Sequence, residues 1–184
     1  MSTGYFDLET QFLCDEVGGW GNIDKLRMSV GCLIVDDNEP DFYQEDDIHD
    51  LFGRLDEIDV IVGHNLLGFD YTVLNAYADF DVCRRYAPKT RDTLQMIYRD
   101  TKVRVSLNNL AKNNVGGAKS GNGADMPKWW REGRHEEVMK YCAHDVELTK
   151  AVYLFGKQNG YVHFTKYDRF DRTKCERVTL MVAW

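Results

Sequence analysis

Asp7 and Glu9 stand two residues apart in GYFDLET, residues 4–10, a stretch that otherwise reads as a short strand. Side chains two apart on a strand project to one face, about 6.6 Å apart along it, so the two carboxylates point together. Like charges so placed repel unless something positive lies between them, and carboxylate oxygens are the ligands that hard divalent cations take. The exposed face of an edge strand has the same spacing, so this pair alone leaves both readings open. Asp70 closes VGHNLLGFD, residues 62–70, which follows an apolar run and opens a helical stretch. That position puts Asn65 and Asp70 at the carboxyl end of a strand, where open α/β sheets bind ligands, although a helix-dipole role for Asp70 and a capping role for Asn65 fit equally. Tyr141 and Asp145 are four apart in a helical stretch and share one face. Asp145 falls among Val138, Tyr141 and Leu148, which read as the buried stripe, and an aspartate there needs a strong partner: a cation, a cap or an ion pair.

The elements that must position these groups follow from hydrophobic period and turn chemistry. Residues 4–10 and 27–35 read as strands separated from the next segment by a turn at Asp36, Asp37 and Asn38, and Phe42-Tyr43 begins a third strand of a meander. Asp46 or Asp47 caps a helix whose apolar positions Ile48, Leu51, Phe52 and Leu55 keep the 3.6-residue period, and residues 60–62 form a buried strand. The order is β-β-β-α-β. Helical stretches are predicted over 71–80, 93–98 and 106–111, the last with Ser106 at its cap. Gly116, Gly117, Gly121 and Gly123 place a flexible loop between Asn114 and Pro127, and a loop of that length usually has a task. Helix resumes near Arg134 and runs to about Phe155, with Gly160 beyond its end; residues 161–164 and 177–182 then read as two strands joined by a charged turn.

The 184 residues, 43% hydrophobic and 12% aromatic, suffice for one well-filled core. Residues 1–160 are expected to form one domain, with 161–184 a β-rich extension packed on it. No apolar run approaches the roughly 20 residues needed to span a bilayer, and the short lead into the first strand fits a soluble cytoplasmic protein with no membrane partner. Cys14, Cys32, Cys83, Cys142 and Cys175 are odd in number and scattered, so neither a disulfide framework nor a zinc site is expected. The net charge of −7 argues against a generally basic nucleic-acid-binding surface, but its distribution is uneven. Residues 1–60 hold 16 acids and 3 Lys or Arg, whereas residues 99–134 hold 8 Lys or Arg and 3 acids, so the acidic total hides a local phosphate-binding stretch.

Taken in order, Asp7-x-Glu9, Asn65-x-x-x-Phe69-Asp70 and Tyr141-x-x-x-Asp145 resemble the DEDD superfamily of 3′–5′ exonucleases, over residues 5 to about 155. That superfamily divides by its general-base residue: a histidine five before the last aspartate, or a tyrosine four before it. Lys140 lies five before Asp145, so His144 is not that histidine, and the chain is similar to the tyrosine (DEDDy) branch, which includes proofreading exonuclease domains of DNA polymerases.

The resemblance implies a ribonuclease H-like α/β fold, a mixed five-stranded sheet flanked by helices. It also implies two Mg2+ or Mn2+ ions that activate water and stabilise the departing 3′ oxygen. Asp7 would bridge both ions, Glu9 and Asp145 would complete the site of the first, and Asp70 would hold the second, partly through water. Tyr141 would orient the water, since a phenol with an ordinary pKa of about 10 is mostly neutral at pH 7. The expected activity is removal of nucleoside 5′-monophosphates from the 3′ end of single-stranded nucleic acid, DNA favoured over RNA. Thr10 and Asn65 match positions that contact the terminal nucleotide in relatives, and Phe12, Leu66 and Phe69 are candidates to wedge or stack on its base. Lys112, Lys119, Lys128 and Arg131 around the glycine loop would line the strand's path, with Trp129 and Trp130 either stacking there or packing. A homodimer or accessory partner would engage through 161–184. Two alternatives share the architecture: an endonuclease of ribonuclease H or resolvase type, and a non-catalytic nucleic-acid-binding module.

Overall fold

A computed structural model describes residues 1–118, 120–171 and 173–184. Its central sheet has five strands in the order β3-β2-β1-β4-β5: β1 (Thr3–Thr10), β2 (Met28–Val35), β3 (Asp41–Gln44), β4 (Val60–Gly63) and β5 (Thr90–Asp92). β1, β2 and β3 form an antiparallel meander, whereas β1–β4 and β4–β5 pair in parallel, so the sheet is mixed. All eight residues of β2 are buried, the mark of a strand covered on both faces.

Alternation along β1 decides which residues meet which layer. Phe6 and Leu8 point to the face covered by α1 (Ile48–Glu57), α2 (Asp70–Leu74) and α3 (Val82–Tyr86), in a core with Leu33, Leu51, Leu55, Ile61, Tyr71 and Leu74. Tyr5 points to the other face, into a second core with Val30, Cys32, Ile34 and Val62 of the sheet and Val138, Tyr141, Cys142 and Val146. Those last four lie on α7 (His135–Asn159), the longest helix, which ends on Gly160 at φ 75°, a left-handed conformation that glycine adopts without strain. Asp7 and Glu9 share the parity of Tyr5 and therefore face α7.

Along the chain between β5 and α7 come α4 (Thr93–Thr101), α5 (Leu107–Asn114) and α6 (Met126–Arg131). Ser106 caps α5 as expected, its hydroxyl accepting from Asn109 N at 3.3 Å. The helix expected over 71–80 stops at Leu74. A single turn at Asn75–Tyr77 follows, and Asn75 Oδ1 accepts from Val82 N at 2.9 Å, which folds the chain back into α3 instead of continuing the helix. α6 has no apolar period to announce it; Pro127 in its first turn suits a helix start, where a missing N–H is no loss.

The two C-terminal strands, β6 (Tyr161–Tyr167) and β7 (Cys175–Met181), pair antiparallel as a separate two-stranded sheet instead of extending the central one. Val162 and Phe164 bury against Leu107, Leu110, Leu148 and Val152 of α5 and α7, and Trp184 stacks on Tyr153 with 5.8 Å between ring centroids. No helix among the described residues is long and apolar enough to cross a membrane.

Candidate active site

Parallel pairing between β1 and β4 ends at Tyr5↔Val62, but β1 continues to Thr10. Beyond that point Leu8 N donates to Asp70 Oδ1 at 3.1 Å, so a carboxylate from the first turn of α2 takes the place of the missing strand. The sheet is thereby opened at the carboxyl ends of its parallel strands, where α/β folds bind ligands. A cleft of about 490 Å³ occupies this opening, lined in part by Asp7, Glu9, Asp70 and Asp145.

Asp7 from β1 is brought against Asp145 because α7 lies directly on that strand, with Cys142 Sγ donating to Asp7 O at 3.5 Å. One carboxylate oxygen each from Asp7, Glu9 and Asp145 lies within 4.8 Å of the others. Asp145 is 1% exposed, so its carboxyl group is almost wholly removed from water. Asp70, also buried, lines the same cleft. Burial drives the Cys142 thiol well above its ordinary pKa, reinforced by a hydrogen bond involving Cys32 and by the negative charge of Asp7 and Glu9, so Cys142 serves this site as a neutral packing group.

Tyr141 sits one turn before Asp145 and is 3% exposed. The glycine loop lies over it: a Cβ at Gly121 would come 3.4 Å from its ring, and one at Gly123, which lines the cleft, 3.7 Å from its hydroxyl oxygen. His144 Nε2, hydrogen-bonded to Ala118 O at 2.9 Å, ties the same loop to α7.

The loop between β4 and α2 is shaped from outside. Asn65 adopts φ 79°, unusual for a residue with a side chain, and its N–H donates to Asp92 Oδ1 at 2.9 Å. Asp92 Oδ2 takes Leu67 N at 3.0 Å, while Oδ1 also caps α4 by accepting from Leu94 N and Gln95 N, both at 3.1 Å. One buried carboxylate thus joins the loop that carries Asn65 to the start of α4. Leu66, which the sequence offers as a base contact, is fully buried in the core among α1 and α2 and does not line the cleft. Gly63 makes this possible, because a Cβ there would fall 2.3 Å from Leu66 Cγ. Gly63→Ala is therefore expected to destabilise the fold by about 2 kcal/mol through overpacking. Urea denaturation checks this, and a loss below ~0.5 kcal/mol would show that Leu66 moves aside freely.

Thr10, Phe12, Asn65 and Phe69 all line the cleft, though the Thr10 hydroxyl already donates to Phe12 O at 2.9 Å. Lys112 does not: it is exposed on α5, away from the cleft lining. Lys119 lies outside the described residues. Arg131 forms no open phosphate lane, since it donates to Gln11 O at 2.7 Å and pairs with Glu16 at 3.1 Å, tying α6 to the segment after β1. Lys128 pairs with Glu132 at 3.8 Å. Trp129 lies under the Arg134 guanidinium and Trp130 stacks on His135 at 4.0 Å, so both pack around α6. The aromatic residue that the sequence pattern does not reveal is Trp20, which lines the cleft from a turn with no apolar period to signal it.

No protein-family model matches the chain, and no curated protein matches it in sequence. Among solved structures, the family B DNA polymerase from the hyperthermophilic archaeon Pyrobaculum calidifontis has a similar fold, with a TM-score of 0.62 at 14% identity. The match covers 84% of this chain and 24% of the polymerase chain, so this chain spans about a quarter of that protein's length. At such identity the likeness concerns the fold: an α/β, ribonuclease H-like mixed five-stranded sheet with flanking helices.

Proposed function

We propose that the chain is a metal-dependent 3′–5′ exonuclease acting on single-stranded nucleic acid, with DNA favoured over RNA and nucleoside 5′-monophosphates as products. The observation that carries this reading is the convergence of Asp7, Glu9 and Asp145 oxygens within 4.8 Å in a cleft that Asp70 also lines. A donor set made only of carboxylate oxygens fits Mg2+ or Mn2+ and does not favour softer metals. Asp7, Glu9 and Asp145 would hold one cation, and Asp70 with Asp7 a second. The chemistry such a pair supplies when bound is neutralisation of charge on the phosphate and acidification of water.

The chain's own residues do the positioning. Asp70 is held on the β1 backbone through Leu8 N, which fixes it relative to Asp7 and Glu9 on either side of that residue. Tyr141, behind Gly123, would orient the attacking water by hydrogen bonding without removing its proton outright. Asn65 and Phe69 would take the terminal nucleotide, the first by its amide and the second by its ring. Residues 1–160 would make up this nuclease unit, with the hairpin an appendage packed on α5 and α7.

Degradation of 3′- and 5′-labelled single-stranded DNA and RNA, with magnesium, manganese or chelator, tests the reading. The 3′ label is expected to appear at once as mononucleotide, the 5′ label to shorten through a ladder, DNA to be consumed faster than RNA, and chelator to stop all of it. Internal fragments independent of the labelled end would instead support the endonuclease alternative. Binding without any cleavage would support the non-catalytic one, and either result overturns the proposal.

A further inference from the structure

We infer that Trp20, with Phe69 beside it, forms a stacking platform for an unpaired nucleobase at the mouth of the carboxylate cleft. This rests on the nucleic-acid reading of that cleft and names the part of the ligand that its apolar wall would take.

Trp20 is 71% exposed. Trp129, Trp130 and Trp184 are each at least half covered by their neighbours, so this is the exception within the chain as well as among tryptophans generally. Its position is not accidental to the cleft: Trp20 lines the same opening as Asp7, Glu9, Asp70 and Asp145. Two glycines, Gly18 at φ 90° and Gly19 at φ 100°, turn the chain in conformations that side-chain-bearing residues avoid, and the turn that follows begins on Trp20. The indole meets Phe69 edge-on, with 6.4 Å between centroids and 61° between planes. Such a contact steadies the ring without stacking over it. At 71% exposure, at least one broad face of the indole remains open. Phe12 and Leu13 continue the apolar wall, with the Arg131 guanidinium 5.8 Å from the Phe12 ring centroid.

An acidic floor beside an aromatic wall restricts the ligand. An anionic aromatic group would be repelled by the floor, and an aliphatic peptide would leave the flat indole poorly matched. A neutral planar base whose phosphate lies over the carboxylates with cations between satisfies both walls. Stacking on Trp20 requires a base face not already covered by the neighbouring bases of a duplex stack, so the platform favours single-stranded or frayed ends.

The test is equilibrium binding of a 5′-labelled oligothymidylate with calcium in place of magnesium, its integrity checked after the measurement. A matched oligonucleotide whose last three 3′ nucleotides are abasic serves as the control. W20A is expected to weaken binding of the base-bearing end about 10-fold, and W20F less than about 3-fold, since base–aromatic stacking contributes on the order of 1–3 kcal/mol. The abasic end should bind wild type and W20A alike, and the quenching of indole fluorescence by the base-bearing end should vanish in W20F. Wild-type binding that W20A leaves unchanged would overturn the platform while leaving the nuclease proposal intact. Equal weakening at both ends would reveal a structural role only and overturn it too. If wild type binds neither oligonucleotide, the nucleic-acid reading itself fails and the platform falls with it.

Discussion

Asp7→Asn is expected to abolish metal-dependent hydrolysis, lowering the rate by at least ~10³-fold, equivalent to about 4 kcal/mol of transition-state stabilisation. The same change should leave the metal-free protein as stable as wild type, or more so. Both effects follow from one arrangement. Three carboxylates with oxygens within 4.8 Å of one another repel in the absence of a cation. A like-charge pair at such spacing costs on the order of 1–3 kcal/mol, and the asparagine removes the pairs with Glu9 and Asp145 while keeping the shape of the side chain. A site built this way trades stability for affinity, so its loss shows as a gain in the melting temperature measured in chelator. Magnesium should raise the melting temperature of wild type, because it binds only the folded arrangement, and should hardly move that of Asp7→Asn. Melting curves with and without magnesium, beside single-turnover degradation of a 3′-labelled strand, check the pair of effects. A variant that keeps more than a tenth of the rate, or the full magnesium response, would remove Asp7 from the centre of the site.

Asp7 and Glu9 are legible in the sequence because strand alternation is a strong constraint: once Phe6 and Leu8 go to one core, the acids must go to the other face. Asp145 is legible for the matching reason on a helix, its place in a buried stripe. β5 is not. Three residues, Thr90–Asp92, are too few to show a period, and they become a strand only because β4 offers a parallel edge. Leu66 misleads because a leucine in a polar loop reads as exposed, whereas Gly63 clears a space for it that exists only in three dimensions. Trp20 carries no signal either, since two left-handed glycines and an irregular turn set its direction. The basic stretch at 99–134 is visible as charge, but Arg131 is engaged with Glu16, more than a hundred residues back along the chain. Ion pairing across the chain is invisible to a count along it.

The second large effect is expected at Asp92, a residue that no motif singles out. Its carboxylate is 2% exposed and accepts four backbone N–H groups: Asn65 and Leu67 from the loop before α2, Leu94 and Gln95 from the first turn of α4. Asp92→Ala removes every one of these acceptors, and some of the freed donors are buried where water does not easily replace the carboxylate. Hydrogen bonds to a charged group contribute about 1.5–3 kcal/mol each when counted singly and less when they share an acceptor, so a total loss near ~4 kcal/mol is expected. Asp92→Asn keeps the oxygen that takes Asn65, Leu94 and Gln95 but turns an amide toward Leu67 N, donor against donor, for a loss of about 2 kcal/mol. The consequence for catalysis is separate. Without the Asp92 carboxylate the Asn65 N–H loses the acceptor that holds it at φ 79°, and the loop that ends on Asp70 relaxes away from Leu8. Displacements of about 1 Å at a reacting centre lower rates on the order of 10²-fold, so activity should fall even at temperatures where the variant is fully folded. Urea denaturation of both variants, with hydrolysis assayed well below each transition, checks the argument. A cost under ~1 kcal/mol for alanine would mean that water satisfies the loop, and Asp92 would be a helix cap of ordinary strength.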